Sequence, residues 1–299
     1  MTHPSPDARP GTHLRLVWPQ WQGAGSSSVR SLATEFPFDI ARRGYTVGTT
    51  VLQAILPPHD GPTAVVPTEM GDRGLEEHDG IEAKEIVVEQ LRSALAVIQE
   101  HEPDRITTLG GDCAVSVAPF AALAATYGDD LAMIWIDSHP DVDTGDTAYE
   151  GYHAMAVSAL IGEGDQDILD ALPATLPASK VALVGLHSWQ EDAFTNVVDW
   201  GLHTFAPDAL RENSDSLLAW LQETGASKVA IHFDVDTIDA AEVQLGLGAD
   251  FGGLTITQAR RVIADLDGAA DVVGFTIAEY TPRQVIHLQQ LLHGLPLLG

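Results

Sequence analysis

Two short stretches of the sequence place acidic residues and histidine at spacings that suit metal binding. Asp137, His139 and Asp141 fall at every second position of "DSHPD", so an extended segment projects all three side chains to one side. Asp234 and Asp236 have the same spacing in "DVDTIDA". Aspartate and histidine ligands on two segments, with single carboxylates able to bridge, are what a site for two metal ions requires.

Apolar, β-rich runs precede these stretches and recur along the chain. They are "LRLVW" from Leu14, "ITTL" from Ile106, "LAMIWI" from Leu131, "VALVGL" from Val181, "VAIHF" from Val229 and "VVGFTI" from Val272. Because the runs are continuous rather than alternating, they are typical of strands buried on both faces of a parallel sheet. Helix-like stretches lie between them, for example at 82–101 and 255–266, the second opened by a possible Thr255 cap.

This alternation predicts an α/β fold with one doubly wound, mostly parallel sheet and helices on both faces. No linker divides the chain, so we expect one domain over residues 1–299, with a frayed Pro/His-rich N-terminus at 1–12. The carboxyl ends of parallel strands meet at one edge, where α/β proteins bind ligands. Two further polar clusters follow strands of this sheet, Gly-Gly-Asp112-Cys113 and Ala278-Glu279. Several carboxylates crowded at one edge are costly to bury unless cations compensate them, and divalent metals are the natural choice.

Composition narrows the function classes. The formal net charge is −28, from 43 acidic against 15 basic residues, so the chain should avoid nucleic acid and anionic membranes. We find neither a signal-peptide core nor an apolar run long enough to cross a bilayer. A single cysteine excludes an internal disulfide framework and fits a reducing compartment. The sequence thus predicts a soluble, cytoplasmic protein.

The motifs together resemble those of the ureohydrolase (arginase/agmatinase) family. That family carries G-G-D-H, D-A-H-x-D, S-x-D-x-D-x-x-D-P and a later M-E-x-x-P, and this chain has "GGDC", "DSHPD", "HFDVDTIDA" and "AEYTP" in the same order over roughly residues 100 to 285. The resemblance implies a pair of Mn²⁺ ions and hydrolysis of a guanidino carbon to urea and an amine. It also implies a small cationic guanidino substrate and a homo-oligomer, a trimer or hexamer.

By position, the resemblance gives six residues as metal ligands. Asp137 and Asp234 would bridge the two ions, and the other ligands would be Cys113 and Asp141 for one ion and His139 and Asp236 for its neighbour. Cys113 stands where the family has a histidine. A thiolate is softer than imidazole and adds negative charge, so it would favour Zn²⁺, Co²⁺ or Fe²⁺ somewhat over Mn²⁺.

Three further residues match positions that handle the substrate. His153 corresponds to the family's proton-shuttling histidine, and an imidazole titrates near neutrality. Glu279 matches the carboxylate that pairs with the guanidinium. Asp143 stands where arginases proper have an asparagine that contacts the α-carboxylate, which makes L-arginine a poor candidate substrate. The remaining histidines in or near predicted elements are expected to be structural or solvated: His187, His203, His232 and His287.

Three functions stay open on the sequence. The first is a dinuclear metallohydrolase that cleaves a C–N bond of an agmatine-, guanidino-acid- or hydroxyarginine-like compound to urea or a urea analogue. The second is a formimidoyl hydrolase, of the formiminoglutamate type, which the same machinery could perform. The third is a metal-poor pseudoenzyme with a regulatory or structural role, suggested by Cys113. A deacetylase is disfavoured because no adjacent His-His pair is present to act as general base.

Overall fold

The computed structural model describes residues 12–299. The predicted frayed segment therefore lies outside the described residues, apart from Thr12. The strands of the described part are β1 His13–Trp18, β2 Thr63–Val65, β3 Glu77–His78, β4 Ile81–Glu82, β5 Arg105–Gly110, β6 Leu131–Ile136, β7 Val181–Val184, β8 His203–Phe205, β9 Lys228–Asp234 and β10 Asp271–Ala278. Its helices are α1 Ser26–Leu32, α2 Phe38–Arg42, α3 Gly44–Ile55, α4 Lys84–His101, α5 Val117–Tyr127, α6 Ala156–Ile161, α7 Gln166–Leu169, α8 Glu191–Asp199, α9 Pro207–Leu210, α10 Asp215–Thr224, α11 Ile256–Ala269 and α12 Val285–Leu292.

Eight of the strands in residues 12–299 form one sheet in the order β2-β1-β5-β10-β9-β6-β7-β8. Every pairing between neighbours in this sheet is parallel. The remaining two, β3 and β4, form a small antiparallel pair. The predicted α/β fold with a mostly parallel sheet is confirmed.

Alternate residues of each central strand are buried in different cores, which explains the continuous apolar runs. In β6, for example, Met133 and Trp135 pack into one core while Ile134 and Ile136 pack into the other. The first core is covered by α4 to α8, and the second by α3 and α10 to α12. Because both faces are covered, polar alternation is absent from these strands.

Six predicted strands coincide with β1, β5, β6, β7, β9 and β10. The two strands of the large sheet that the sequence did not predict, β2 and β8, lie at its edges with mostly exposed residues. The short pair β3 and β4 was not predicted either. Thr255 caps α11 as predicted, because its side chain accepts a hydrogen bond from the Gln258 amide. Within residues 12–299, no helix combines the length and apolar character needed to span a membrane.

Candidate metal centre and active site

Four neighbouring strands of the sheet deliver the predicted site residues to one edge. Cys113 follows β5, Asp137 follows β6, Asp234 ends β9 and Glu279 follows β10. These strands are contiguous in the sheet, in the order β5-β10-β9-β6. Their carboxyl ends therefore meet, as predicted from the sequence.

The Gly-Gly-Asp segment after β5 turns the chain sharply into the site. Gly111 allows this turn because a Cβ there would lie 1.7 Å from the backbone oxygen of Gln20. Asp112 is fully buried and accepts hydrogen bonds from the amides of Ala114, at 3.1 Å, and Gly23, at 2.8 Å. Burial and the nearby Glu279 raise the pKa of Asp112 to about 6. Asp112 thus joins the segment after β1 to the loop that carries Cys113.

The Cys113 thiol lies among carboxylates rather than among apolar groups alone. It is 1% exposed, with Sγ 3.1 Å from Asp234 Oδ2 and 3.9 Å from Asp137 Oδ2. Burial, and then Asp234 and Asp141, raise the pKa of the thiol well above its ordinary value. A thiol surrounded in this way becomes a thiolate when a cation compensates the charge.

The segment after β6 presents its three predicted ligands from a constrained backbone. Asp137 Oδ1 accepts a hydrogen bond from the His139 amide at 2.7 Å, and Asp137 Oδ2 accepts one from Trp135 Nε1 at 3.1 Å. Asp141 adopts a φ of 50°, in the left-handed region that is costly for a residue with a Cβ. Its Oδ2 is buried without a hydrogen-bond partner. The strained turn thus holds an unsatisfied acceptor inside the site.

The segment after β9 completes the carboxylate cluster. Asp234 Oδ1 accepts a hydrogen bond from the Asp236 amide at 2.7 Å. Asp236 Oδ1 accepts one from Ser138 Oγ at 2.6 Å, and its Oδ2 lies 3.3 Å from His139 Nδ1. Against the effect of burial, His139 and the Ser138 hydrogen bonds lower the pKa of Asp236. In contrast, burial and the nearby Asp236 and Asp137 raise the pKa of Asp234 well above its ordinary value.

One group of neighbouring ligand atoms joins Cys113 to His153 and Glu279, and two further groups overlap at Asp137. Of these two, one contains Cys113, Asp137, Asp141 and His232, and the second contains Asp137, His139 and Asp236, with the ligand atoms of each group within 4.8 Å of one another. Asp137 belongs to both of them, as a bridging carboxylate would. Asp234 lies beside the first of these two through its 3.1 Å approach to Cys113.

The residues fit divalent cations. Buried carboxylates at such spacing need positive charge, and Asp141 Oδ2 has no protein partner to provide it. The donors are oxygen, imidazole nitrogen and one sulfur, which are ordinary ligands for first-row divalent metals.

His153 and Glu279 form a pair on the cavity side of the cluster. His153 Nδ1 lies 3.0 Å from Glu279 Oε1, and its Nε2 lies 2.7 Å from the Tyr149 hydroxyl. Glu279 Oε1 also accepts a hydrogen bond from the Cys113 amide at 2.9 Å. Although burial opposes the change, Tyr149 and Glu279 raise the pKa of His153 above its ordinary value. The pair can therefore hold a proton next to the metal ligands.

A cavity of about 140 Å³ opens over these groups. Cys113, His139, His153 and Glu279 are among the residues that line it, and Val29, Leu32, Tyr45 and Leu247 also contribute to its wall. Asp143 also lines it, with Oδ1 buried and without a hydrogen-bond partner, and burial raises the pKa of this residue to about 6. The structure thus brings all eight of the sequence-predicted catalytic and metal residues, and Asp143, to one place.

The sequence predicts that His232 is either structural or solvated. The solvated alternative is wrong, since His232 is 0% exposed and its Nε2 lies 3.8 Å from Asp137 Oδ2. A signal was present in the motif, because the family pattern has serine two positions before its first aspartate and this chain has histidine there. The other three histidines behave as expected: His203 and His287 are exposed and His187 is half-buried.

A family model described as the arginase family matches residues 39–290, which is most of the chain. The chain belongs to the arginase family. Members of this family depend on two metal ions, in agreement with the two ligand groups.

Individual relatives are distant. An agmatinase from Chromobacterium violaceum is 27% identical over 217 residues, covering 72% of this chain and 60% of the relative. An arginase from Staphylococcus aureus (strain MRSA252) is 24% identical over 181 residues, covering 58% of this chain and 59% of the relative. The chain thus spans about 60% of the length of these relatives.

Among solved structures, an Entamoeba histolytica arginase in complex with L-ornithine superposes with a TM-score of 0.74 at 14% identity. The match covers 94% of this chain and 96% of that one. At this identity the likeness shows a shared fold, and the substrate is not fixed by any of these relatives.

Proposed function

We propose that the chain is a dinuclear metal-dependent amidinohydrolase that cleaves a C–N bond of a cationic guanidino compound to give urea and an amine. The observation that carries this proposal is the pair of ligand groups that share Asp137, placed directly beside the His153–Glu279 pair in one cavity. The overall change adds one water: the alkylguanidinium gives urea and an alkylammonium.

Two divalent cations, when bound, would lower the pKa of a water molecule so that it becomes a nucleophile at neutral pH. We propose that Asp137 and Asp234 bridge them, with Cys113 and Asp141 on one side and His139 and Asp236 on the opposite side. Mn²⁺ is the ion that the family resemblance suggests, and the thiolate of Cys113 makes Zn²⁺, Co²⁺ or Fe²⁺ alternatives.

Glu279 and His153 are proposed to act on the substrate itself. Glu279 lines the cavity, where its carboxylate can pair with the guanidinium and fix its orientation. His153 holds a proton at Nδ1 or Nε2, 3.0 Å from Glu279 and 2.7 Å from Tyr149. It can pass that proton to the departing amine nitrogen, which leaves as the ammonium product.

Asp143 is proposed to select against an α-carboxylate. Asp143 lines the cavity, so a carboxylate brought near it would meet a like charge. Such a contact costs roughly 1 kcal/mol where water still screens it, and more where it does not. Agmatine-like or simple guanidino compounds are therefore favoured over L-arginine.

A single substrate screen tests the proposal. Protein purified without chelator is analysed for metal and assayed for urea with arginine, agmatine, guanidinobutyrate, guanidinopropionate and N-hydroxyarginine. Formiminoglutamate, with formamide as the product measured, tests the formimidoyl alternative. We expect about two ions per chain and urea from a guanidino compound other than L-arginine.

Two variants sharpen the screen. Glu279→Gln should keep the metal content and abolish urea release, because the amide cannot pair with the guanidinium. Asp143→Asn should raise kcat/KM for L-arginine relative to agmatine by about fivefold, the equivalent of roughly 1 kcal/mol. Asp146→Asn, an exposed acid in the same loop, is the matched control. Absence of metal together with absence of hydrolysis would instead support the pseudoenzyme.

We also propose that the protein works in the cytoplasm, because a metal-binding thiol is best preserved in a reducing compartment.

A further inference from the structure

An imidazole that the proposed reaction does not use lies at the metal centre. His232 is in the middle of β9, 0% exposed, and stacks on the Trp135 indole with ring centroids 3.6 Å apart and an interplanar angle of 8°. This stacking fixes the ring plane. One ring nitrogen, Nδ1, lies 2.7 Å from Ser116 Oγ.

The second ring nitrogen has no hydrogen-bond partner. His232 Nε2 is buried, and its nearest carboxylate oxygen, Asp137 Oδ2, is 3.8 Å away, beyond hydrogen-bond range. A buried ring nitrogen left unsatisfied is costly, and such groups in native structures call for an explanation. Asp141 Oδ2 is a second unsatisfied buried atom in the same group.

The side chains around His232 Nε2 explain why this atom has no hydrogen-bond partner. The ligand atoms of His232, Cys113, Asp137 and Asp141 all lie within 4.8 Å of one another. Donors this close can share a single cation, since metal–nitrogen, metal–oxygen and metal–sulfur bonds of about 2.0–2.3 Å bring their donors within such distances. One cation in their midst would satisfy Nε2 and Asp141 Oδ2 together.

We propose that His232 is a metal ligand through Nε2, in the site that also contains Cys113, and that this site consequently takes a divalent ion that accepts nitrogen and sulfur donors, such as Zn²⁺ or Co²⁺. The inference rests on the proposed dinuclear function and specifies the ligand set of one of its two sites. Sulfur with imidazole and carboxylate is a softer set than the Asp137, His139 and Asp236 group beside it. The two sites thus differ in the metal they prefer.

Ser116 takes the role of the outer partner of this ligand. When Nδ1–H donates to Ser116 Oγ, the lone pair lies on Nε2 and faces the cluster, which is the tautomer that a metal requires. Metal-binding histidines commonly donate their second ring N–H to such a partner, and loss of that partner typically weakens metal binding by about 10- to 100-fold. Ser116 is therefore a positioning residue.

Metal binding measured directly tests the inference. His232→Phe keeps a flat ring to stack on Trp135 but removes both nitrogens. We expect it to lose one Zn²⁺ or Co²⁺ ion per chain, or to bind that ion at least about 100-fold more weakly, while the other ion stays. Ser116→Ala should weaken the same ion by about 10- to 100-fold. His203→Phe is the matched control, since His203 also neighbours a tryptophan, Trp220, but is exposed and belongs to none of the ligand groups described above.

X-ray absorption on the wild-type enzyme loaded with Zn²⁺ provides a readout that needs no variant. We expect one sulfur and two imidazoles shared between two ions, from Cys113, His139 and His232. One imidazole per two ions, or unchanged affinity and stoichiometry in His232→Phe, would overturn the inference, as would failure of the wild-type protein to bind metal.

The same samples separate this inference from the proposed function. If wild-type protein cleaves a guanidino compound and His232→Phe binds both ions normally, only the ligand role of His232 fails. If the ions bind through one sulfur and two imidazoles but no guanidino compound is cleaved, only the proposed function fails.

Discussion

The central sheet has one edge where its strands begin and one where they end, and these two edges differ in how their charges are balanced. At the edge where the strands begin, Arg105 and Asp271 form a two-pronged pair, with Nη1–Oδ1 and Nη2–Oδ2 distances of 2.6 and 2.9 Å. Lys228 adds a third contact to Asp271 at 3.0 Å. Acid and base are matched by the protein itself.

At the edge where the strands end, acids crowd together without such bases. Within 4 Å, Asp137, Asp236 and Glu279 have ion-pair contacts to imidazoles, namely His139, His153 and His232, rather than to lysine or arginine. Asp141 is left with a buried oxygen that has no partner. The contrast indicates that the protein balances its own charges where the strands begin, whereas the acids where the strands end suit a bound cation.

The largest effect should follow from removing either of the two carboxylates that are proposed to bridge the ions. Asp137→Ala and Asp234→Ala should each lose both ions, from about two per chain to none, and urea release should fall to background. Asp236→Ala should keep one ion more readily, because Asp236 belongs to only one of the two groups that overlap at Asp137. Metal content measured on protein purified without chelator distinguishes them, and equal content in all three variants would refute the bridging role.

A smaller effect should follow at Cys113, where metal choice rather than metal binding changes. Cys113→His removes one negative charge and replaces a soft donor by imidazole, so relative affinity should shift from Zn²⁺ towards Mn²⁺. The near-ultraviolet absorption from thiolate to Co²⁺ should disappear while two ions are retained. Cys113→Ala should lose one ion selectively. A wild-type Co²⁺ spectrum that already lacks a thiolate band would show that Cys113 is not a ligand.

A substitution at the edge where the strands begin should change the stability of the protein but not its metal content or activity. Arg105→Met leaves Asp271 with only Lys228, and we expect a loss of about 1 kcal/mol in the free energy of unfolding, the upper end for a partly exposed pair. Metal content and urea release should not change. Arg73→Met, which removes ion pairs of a 62% exposed side chain, is the control and should cost less. Denaturant titration of the three proteins checks this, and a change in metal content for Arg105→Met would contradict the separation of the two edges.

The sequence predicted the features that follow from burial on both sides of a strand. Central strands appear as apolar runs and their polar ends as ligands, so the fold and the convergence of Cys113, Asp137, Asp234 and Glu279 could be anticipated. The edge strands β2 and β8 were not predicted because short, exposed segments lack that pattern. Helix α4 begins at Lys84 rather than Glu82, because Ile81–Glu82 pairs with Glu77–His78 and Ala83 has a φ of 58°.

His232 was not predicted as a site residue, and the reason is different. It lies inside the apolar run of β9, where a histidine resembles a core residue, and the residues that determine its role are distant in sequence. Ser116 is 116 positions away along the chain, and Trp135 belongs to a neighbouring strand. A ligand is visible in sequence when it follows a strand, but not when tertiary packing aims a mid-strand side chain into the site.

The smallest effect should come from His13, at the start of β1 near Arg105. Burial, and then the charges of His59, Arg15 and Arg105, lower the pKa of His13 to about 4, and its Nε2 lies 2.7 Å from Thr107 Oγ1. The unfolded chain, with a pKa near 6.5, binds the proton more readily. Stability from a neutral His13 is thus complete above about pH 6.5 and is lost as the pH falls towards 4.

His13→Gln removes this titration and keeps a side chain that can bond Thr107. Between pH 7.5 and 5, the wild-type protein should therefore lose more unfolding free energy than His13→Gln, by less than about 1 kcal/mol because the ring is only half-buried. His59→Gln should reduce the slope in part, since it removes one of the charges that oppose protonation. Parallel stability profiles for wild type and His13→Gln would show that folding does not lower the pKa of His13.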